Sequence, residues 1–173
     1  MKKVFLVGLL GVSLLCGCGK PKTDEINVSI YKVDIPSAWT LNNTDDTSSW
    51  DYYIEKSDTH MAEVTIALTD ISDDNVYNYD DFEAIIGEAM EKYAGNFDSC
   101  DFGNAKKRTI NNVDALEYDI SGTQTNVDFT GEMVVLPVSN YSKMVTMNLT
   151  QTEGCEKDHT KEFDTMVDSV KTR

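Results

Sequence analysis

Asn111-Asn112 separates two expected strands, Ala105 to Ile110 and Val113 to Ser121. Asparagine tolerates the positive φ that a two-residue hairpin turn requires. Strands joined by so short a turn must be antiparallel neighbours. The pattern recurs along the chain. Ser57-Asp58-Thr59-His60 has turn chemistry and divides Trp50 to Lys56 from Ala62 to Thr69. Gly122 to Asn126 leads into Val127 through Pro137, and Ser139-Asn140 turns that run into Lys143 to Thr150. In the last strand Val145, Met147 and Leu149 share one face.

Two stretches depart from period two. Phe82, Ile85, Ile86, Ala89, Met90 and Tyr93 recur at helical spacing and form one apolar stripe, which predicts a helix over 81–94. Asp80 is its expected N-cap, with Glu83 at capping-box spacing. Gly95 is expected to end it in a left-handed conformation. Phe163, Met166, Val167 and Val170 mark a second amphipathic helix, 156–171. At the start, Ile26, Val28 and Ile30 alternate on one parity and Tyr31, Val33 and Ile35 on the other, the pattern of one long strand with a bulge. The order is three strands, helix, four strands, helix. This is an α+β fold: an antiparallel β-sheet of about six or seven strands flanked by two amphipathic helices.

Ahead of this domain stands a leader. Lys2 and Lys3 form a positive n-region, and Val4 to Leu15 an apolar core too short to span a bilayer. Leu15-Cys16-Gly17-Cys18 resembles a bacterial lipobox, with a small residue before the cut and a thiol able to form a thioether to diacylglycerol. The competing reading is an ordinary secretory signal with incidental cysteines. The expected organisation is a signal peptide over 1–17, a lipidated tether over 18–25 and a single domain over 26–173. Cys18 would carry diacylglycerol and an N-acyl chain and hold the protein on the extracytoplasmic side of a cell membrane. Removing 17 of the 173 residues leaves 156, enough for one domain with a core of its own. The cut removes two lysines and no acid, so the formal charge moves from −15 to −17. Such a charge repels nucleic acid and anionic head groups.

The segment Tyr31-Lys-Val-Asp-Ile-Pro-Ser-Ala-Trp39 resembles the opening strand of the PsbP-like sandwich family, with its Ile-Pro-x-x-Trp end. Lys107 to Tyr118 is similar to that family's central hairpin, though Asn112 stands where glycine is commoner, and the helix from Phe163 to Val170 fits its terminal helix. The family includes the photosystem II extrinsic protein, a Ran-binding nuclear import factor and many bacterial lipoproteins. The resemblance implies a sandwich fold and a binding or assembly role. It transfers no functional residue.

Chemistry is sparse. His60 sits in a turn and His159 near the last helix, read as a solvated turn residue and a helix-surface residue, and neither has a second histidine at zinc-ligand spacing. The motifs of serine hydrolases, zinc proteases and phosphate-binding loops are absent from the sequence. Cys100 and Cys155 remain in the domain once Cys16 is cleaved and Cys18 acylated. Outside the cytoplasm they can pair at one end of the sandwich or stay as two reduced thiols. Asp70, Asp73 and Asp74 are weak candidates for a divalent cation, without the glycine and terminal glutamate of an EF-hand loop. Trp39, Trp50, Tyr52 and Tyr53 could line a groove, although aromatics on sheet faces usually build core. The expected function is a non-catalytic binding or accessory module with another envelope protein as partner and no cofactor beyond the anchor. The alternatives are a small extracytoplasmic enzyme and an acidic divalent-cation-binding surface protein.

Overall fold

A computed structural model describes residues 22–43, 48–71, 78–138 and 141–173. Five strands come first: β1 (Thr23–Val28), β2 (Tyr31–Pro36), β3 (Thr40–Leu41), β4 (Ser49–Lys56) and β5 (Met61–Asp70). Helix α1 (Tyr79–Ala94) follows. Then come β6 (Ser99–Phe102), β7 (Lys106–Ile110), β8 (Val113–Gln124), β9 (Val127–Val138) and β10 (Lys143–Thr152). Helix α2 (Thr160–Val167) and β11 (Lys171–Thr172) close the chain.

The strands form two sheets. The large one has eight strands in the order β3-β4-β5-β10-β9-β8-β6, with β7 also paired to β8. The small one has the order β1-β2-β11. Every pairing is antiparallel. The α+β expectation holds, with the strands divided between two sheets.

Alternation along the strands builds a core on each face of the large sheet. On the front, Phe82, Ile86 and Met90 of α1 pack on Leu116, Tyr118, Ile120, Phe129, Met133, Val135 and Met144. On the back, Val64, Ile66, Val134, Leu136, Val145, Met147 and Leu149 meet the small sheet and Phe163, Met166 and Val167 of α2. Trp39 and Tyr52 belong to this back core, with ring centroids 6.5 Å apart and Trp50 beside them. They are core aromatics. Tyr53 lies elsewhere, under the Lys56 ammonium at 3.9 Å.

Several local expectations are corrected. The parity switch after Ile30 is a hairpin: Ser29 takes φ 57°, and β1 folds back on β2 with Val28 opposite Tyr31. β1 starts at Thr23, so three residues assigned to the tether are strand. Helix α1 is capped by Asn78, whose Oδ1 accepts from the N–H groups of Asp80 and Asp81 at 2.9 and 3.1 Å. Asp80 is a first-turn acid there, favourable to the helix dipole. Gly95 closes α1 at φ −63°, an ordinary helical value. The second helix is half the expected length, because Val170 drops into the back core and Lys171 pairs with Lys32 of β2. The asparagine turn forms as expected, with φ 47° at Asn111 and 69° at Asn112.

Candidate binding groove

Helix α1 does not cover the whole front of the sheet. It lies over β8 and β9, where the front residues are apolar. Toward β10 and β5 the composition changes within one row of paired residues. Tyr118 pairs with Met133, Met133 with Asn148, Asn148 with Thr65, and Thr65 with Asp51. Directly paired residues share a face, so the row runs from apolar to polar with β10 at the border. Thr146 and Ala67 lie on one side of Asn148 and Thr65, and Thr150 and Glu63 on the other.

A groove follows this border along the flank of α1. One cavity of about 410 Å3 has Ile85, Ala89, Met90, Met133 and Met144 as its apolar wall and Thr65, Thr146 and Asn148 as its polar floor. A second, of about 420 Å3, continues toward the end of α1, between Lys56 to Met61 on one rim and Gln124 to Val127 on the other. The two share Thr65, Tyr93 and Asn148. Tyr93 is held by Phe97 and Phe102, with centroids at 5.2 and 6.2 Å, and burial pushes its hydroxyl pKa up. Burial, with Asp51 nearby, also raises the Glu63 pKa.

Asn148 is 2% exposed, and neither Oδ1 nor Nδ2 has a hydrogen-bond partner among the described residues. A buried amide without partners costs about 1–3 kcal/mol. Its paired neighbours do not relieve that cost: Met133 offers no strong donor or acceptor, and the Thr65 hydroxyl makes no hydrogen bond to it. The groove passes over this residue.

Neighbouring backbones approach closely near the groove. A Cβ on Gly131 of β9 would lie 1.8 Å from the Leu149 carbonyl oxygen, and one on Gly122 of β8 would lie 2.1 Å from that of Ser99. Only glycine lets neighbouring backbones approach so closely.

The residues singled out in the sequence fall elsewhere. Asp70 is an exposed strand end paired with Lys143 at 2.7 Å, while Asp73 and Asp74 lie outside the described residues, as does Cys18. Among the described residues no three acids, histidines or cysteines converge on a metal-sized space, and no helix is long and apolar enough to cross a membrane. Cys100 and Cys155 do reach the same end of the sheet. Cys100 pairs with Gly122, Gly122 with Phe129 and Phe129 with Thr152, the residue whose hydroxyl and backbone meet the Cys155 thiol. Three strand spacings, about 14 Å, thus separate them, whereas a disulfide needs Cα atoms within about 7 Å. Both are free thiols. Burial raises the pKa of each.

His159 is not a surface residue. It is 3% exposed, with Nε2 3.0 Å from Glu55 and Nδ1 2.9 Å from Glu162. Its backbone N–H donates to Gln151 at 2.9 Å. Glu55 also meets His60 Nε2 at 2.7 Å and accepts from the Glu156 N–H. These contacts, the His159 bond foremost, hold the Glu55 carboxyl below its usual range. No sequence spacing announced this cluster, since its members come from β4, the β4–β5 turn and the start of α2.

No protein-family model matches the chain, and no curated protein matches it. Solved structures do. Cyanobacterial PsbP (CyanoP) from Synechocystis is similar at a TM-score of 0.59 with 12% identity, covering 91% of this chain and 96% of that one. The fold is PsbP-like. LpqN of Mycobacterium tuberculosis, described as involved in cell envelope biogenesis, is similar at 0.56 with 11% identity over 88% of this chain and 91% of its own. The Saccharomyces cerevisiae Ran-binding protein Mog1p is similar at 0.53 with 7% identity over 87% and 95%. The PsbP-like resemblance of the sequence thus holds at the level of fold, which carries no activity by itself.

Proposed function

We propose that this protein is a non-catalytic binding or accessory module, tethered through lipidated Cys18 to the extracytoplasmic face of a cell membrane, with the α1 groove as its binding site. The observation that carries the site is the partnerless amide of Asn148 beneath a preformed, mostly apolar groove. Small-molecule sites have this composition: an apolar wall with a few placed polar groups. LpqN and Mog1p lend support at the level of fold, one linked to the envelope and the other to a protein partner. Another envelope protein remains the expected partner of the assembled complex.

The Glu55–His60–His159 cluster favours the enzyme alternative, because imidazoles and a carboxylate are acid–base groups and Cys155 lies close by. The thiol speaks against a cysteine nucleophile. An activated cysteine needs a depressed pKa, whereas burial and the Glu55 charge raise that of Cys155. The burial of His159 between two carboxylates supports a structural tie.

Two measurements test the reading. Membrane fractionation should find the wild-type chain in the membrane and Cys18→Ala shed or unprocessed; lipidated mature Cys18→Ala protein would overturn the anchor. NMR shift mapping with a panel of small neutral compounds should concentrate responses at Thr65, Ala89 and Met144. Responses concentrated at Glu55 and His159 would move the site there.

A further inference from the structure

Given the groove as binding site, we propose that it selects small uncharged ligands carrying a syn amide edge — a primary carboxamide, lactam or cyclic imide — on an apolar body. The argument starts from the two free valences of Asn148. Its Nδ2 donates and its Oδ1 accepts, side by side, and both lack partners among the described residues. A ligand with only an acceptor leaves Oδ1 empty, and one with only a donor leaves Nδ2 empty. A syn amide edge presents an acceptor and a donor at matching spacing and satisfies both at once.

The surroundings narrow the rest of the ligand. Beside the amide, the wall is Ile85, Ala89, Met90, Met133 and Met144, which suits an apolar body, and methionines adapt to its shape. Among the charged side chains lining the two cavities, Asp58, Glu63 and Asp70 are acids and Lys56 stands at the outer rim. A carboxylate ligand would meet like charge and bring no donor to the Asn148 oxygen. Thr65 and Thr146 flank the amide position with hydroxyls that can donate or accept, so the floor tolerates further polar atoms on the ligand.

The mature chain carrying Cys18→Ser is titrated with hexanamide, hexanoate and N,N-dimethylhexanamide at neutral pH, followed by NMR shifts of Thr65, Met90 and the Asn148 side-chain amide. Hexanamide should bind about tenfold more tightly than either analogue, since each analogue leaves the Asn148 oxygen unpaired. In Asn148→Leu that preference should vanish, while hexanamide still shifts the Met90 signal weakly. Melting curves confirm that the variant is folded. Equal binding of hexanamide and its dimethyl analogue to the wild type would overturn the amide selectivity and leave the groove reading intact. No response from any of the three compounds would overturn both. An unchanged preference in Asn148→Leu would place the selecting group elsewhere and sink the assignment.

Discussion

His159 Nε2 stands 3.0 Å from Glu55 Oε2, joining two residues 104 positions apart. The contact ties the entrance of α2 to the end of β4, at a bulge between Tyr53 and Glu55 where the pairing of β4 with β5 shifts. Since the imidazole is buried, its loss removes packing as well as both carboxylate contacts. His159→Ala should lower unfolding free energy by about 2–4 kcal/mol in urea titrations. His60→Ala, on the turn, should have the smaller effect. Equal effects would show that Glu55 organises the region through His60.

The carboxyl of Glu132, on the back of β9, should make stability fall as pH rises. Burial, with Asp164, Glu117 and Asp119 facing it and Lys106 in partial compensation, pushes its pKa up to about 7. A folded pKa above the unfolded value means a contribution fully present below about 4.5 and lost as pH climbs through about 7. Partial exposure screens the effect to about 1 kcal/mol. Glu132→Gln should therefore stabilise the protein above pH ~7 and scarcely change it below pH ~5, as read by denaturation at both ends. A flat difference between the two would be the contrary result.

Phe82 is wholly buried at the α1–sheet contact, with the Tyr79 and Tyr141 rings about it at 6.1 and 5.9 Å. Truncation to alanine should cost about 3–5 kcal/mol through the cavity it leaves, a large share of a typical domain's stability. Asp70→Asn should change stability by less than about 0.5 kcal/mol, because its ion pair with Lys143 is exposed. Thermal melting of the two variants provides the comparison.

The cysteines should count as two free thiols. Intact mass after alkylation under denaturing conditions, without reductant, should show Cys100 and Cys155 both modified. In the native state both should react slowly at neutral pH, because their raised pKa values keep thiolate scarce. A species two hydrogens lighter that resists alkylation would contradict the separation across β8 and β9.

Gly131→Ala should destabilise by about 1–3 kcal/mol, as its methyl would collide with backbone rather than with a movable side chain. The same substitution should disturb NMR signals at Thr150 and Ile120, its partners on the two neighbouring strands. A neutral Gly131→Ala would mean that β9 and β10 can part without loss.

Much of the architecture was legible because alternation and tight turns leave few choices. In β10 the alternation of Val145, Met147 and Leu149 marks the buried back face. The other half of that strand carries no such mark, since Thr146, Asn148 and Thr150 have the composition of a solvated face. What conceals the groove is the partial reach of α1, which no local pattern encodes. A lone Asn in a strand otherwise rich in Val, Thr and Met was the available signal, because asparagine is disfavoured there. The Ser29 hairpin was missed for lack of a glycine or asparagine at the positive φ. His159 was misjudged because its partner Glu55 arrives from the far side of the chain, and helix periodicity says nothing of such a neighbour.

The small sheet has a practical consequence. β1 and β11 both flank β2, so the first and last strands of the domain sit together on the back core, and α1 with its groove lies on the opposite face of the large sheet. An affinity tag or a sensor-chip linkage joined to either strand therefore approaches from behind. The protein can be immobilised by its N- or C-terminal side with the groove still turned toward the solution, and assays built either way should return the same binding curve.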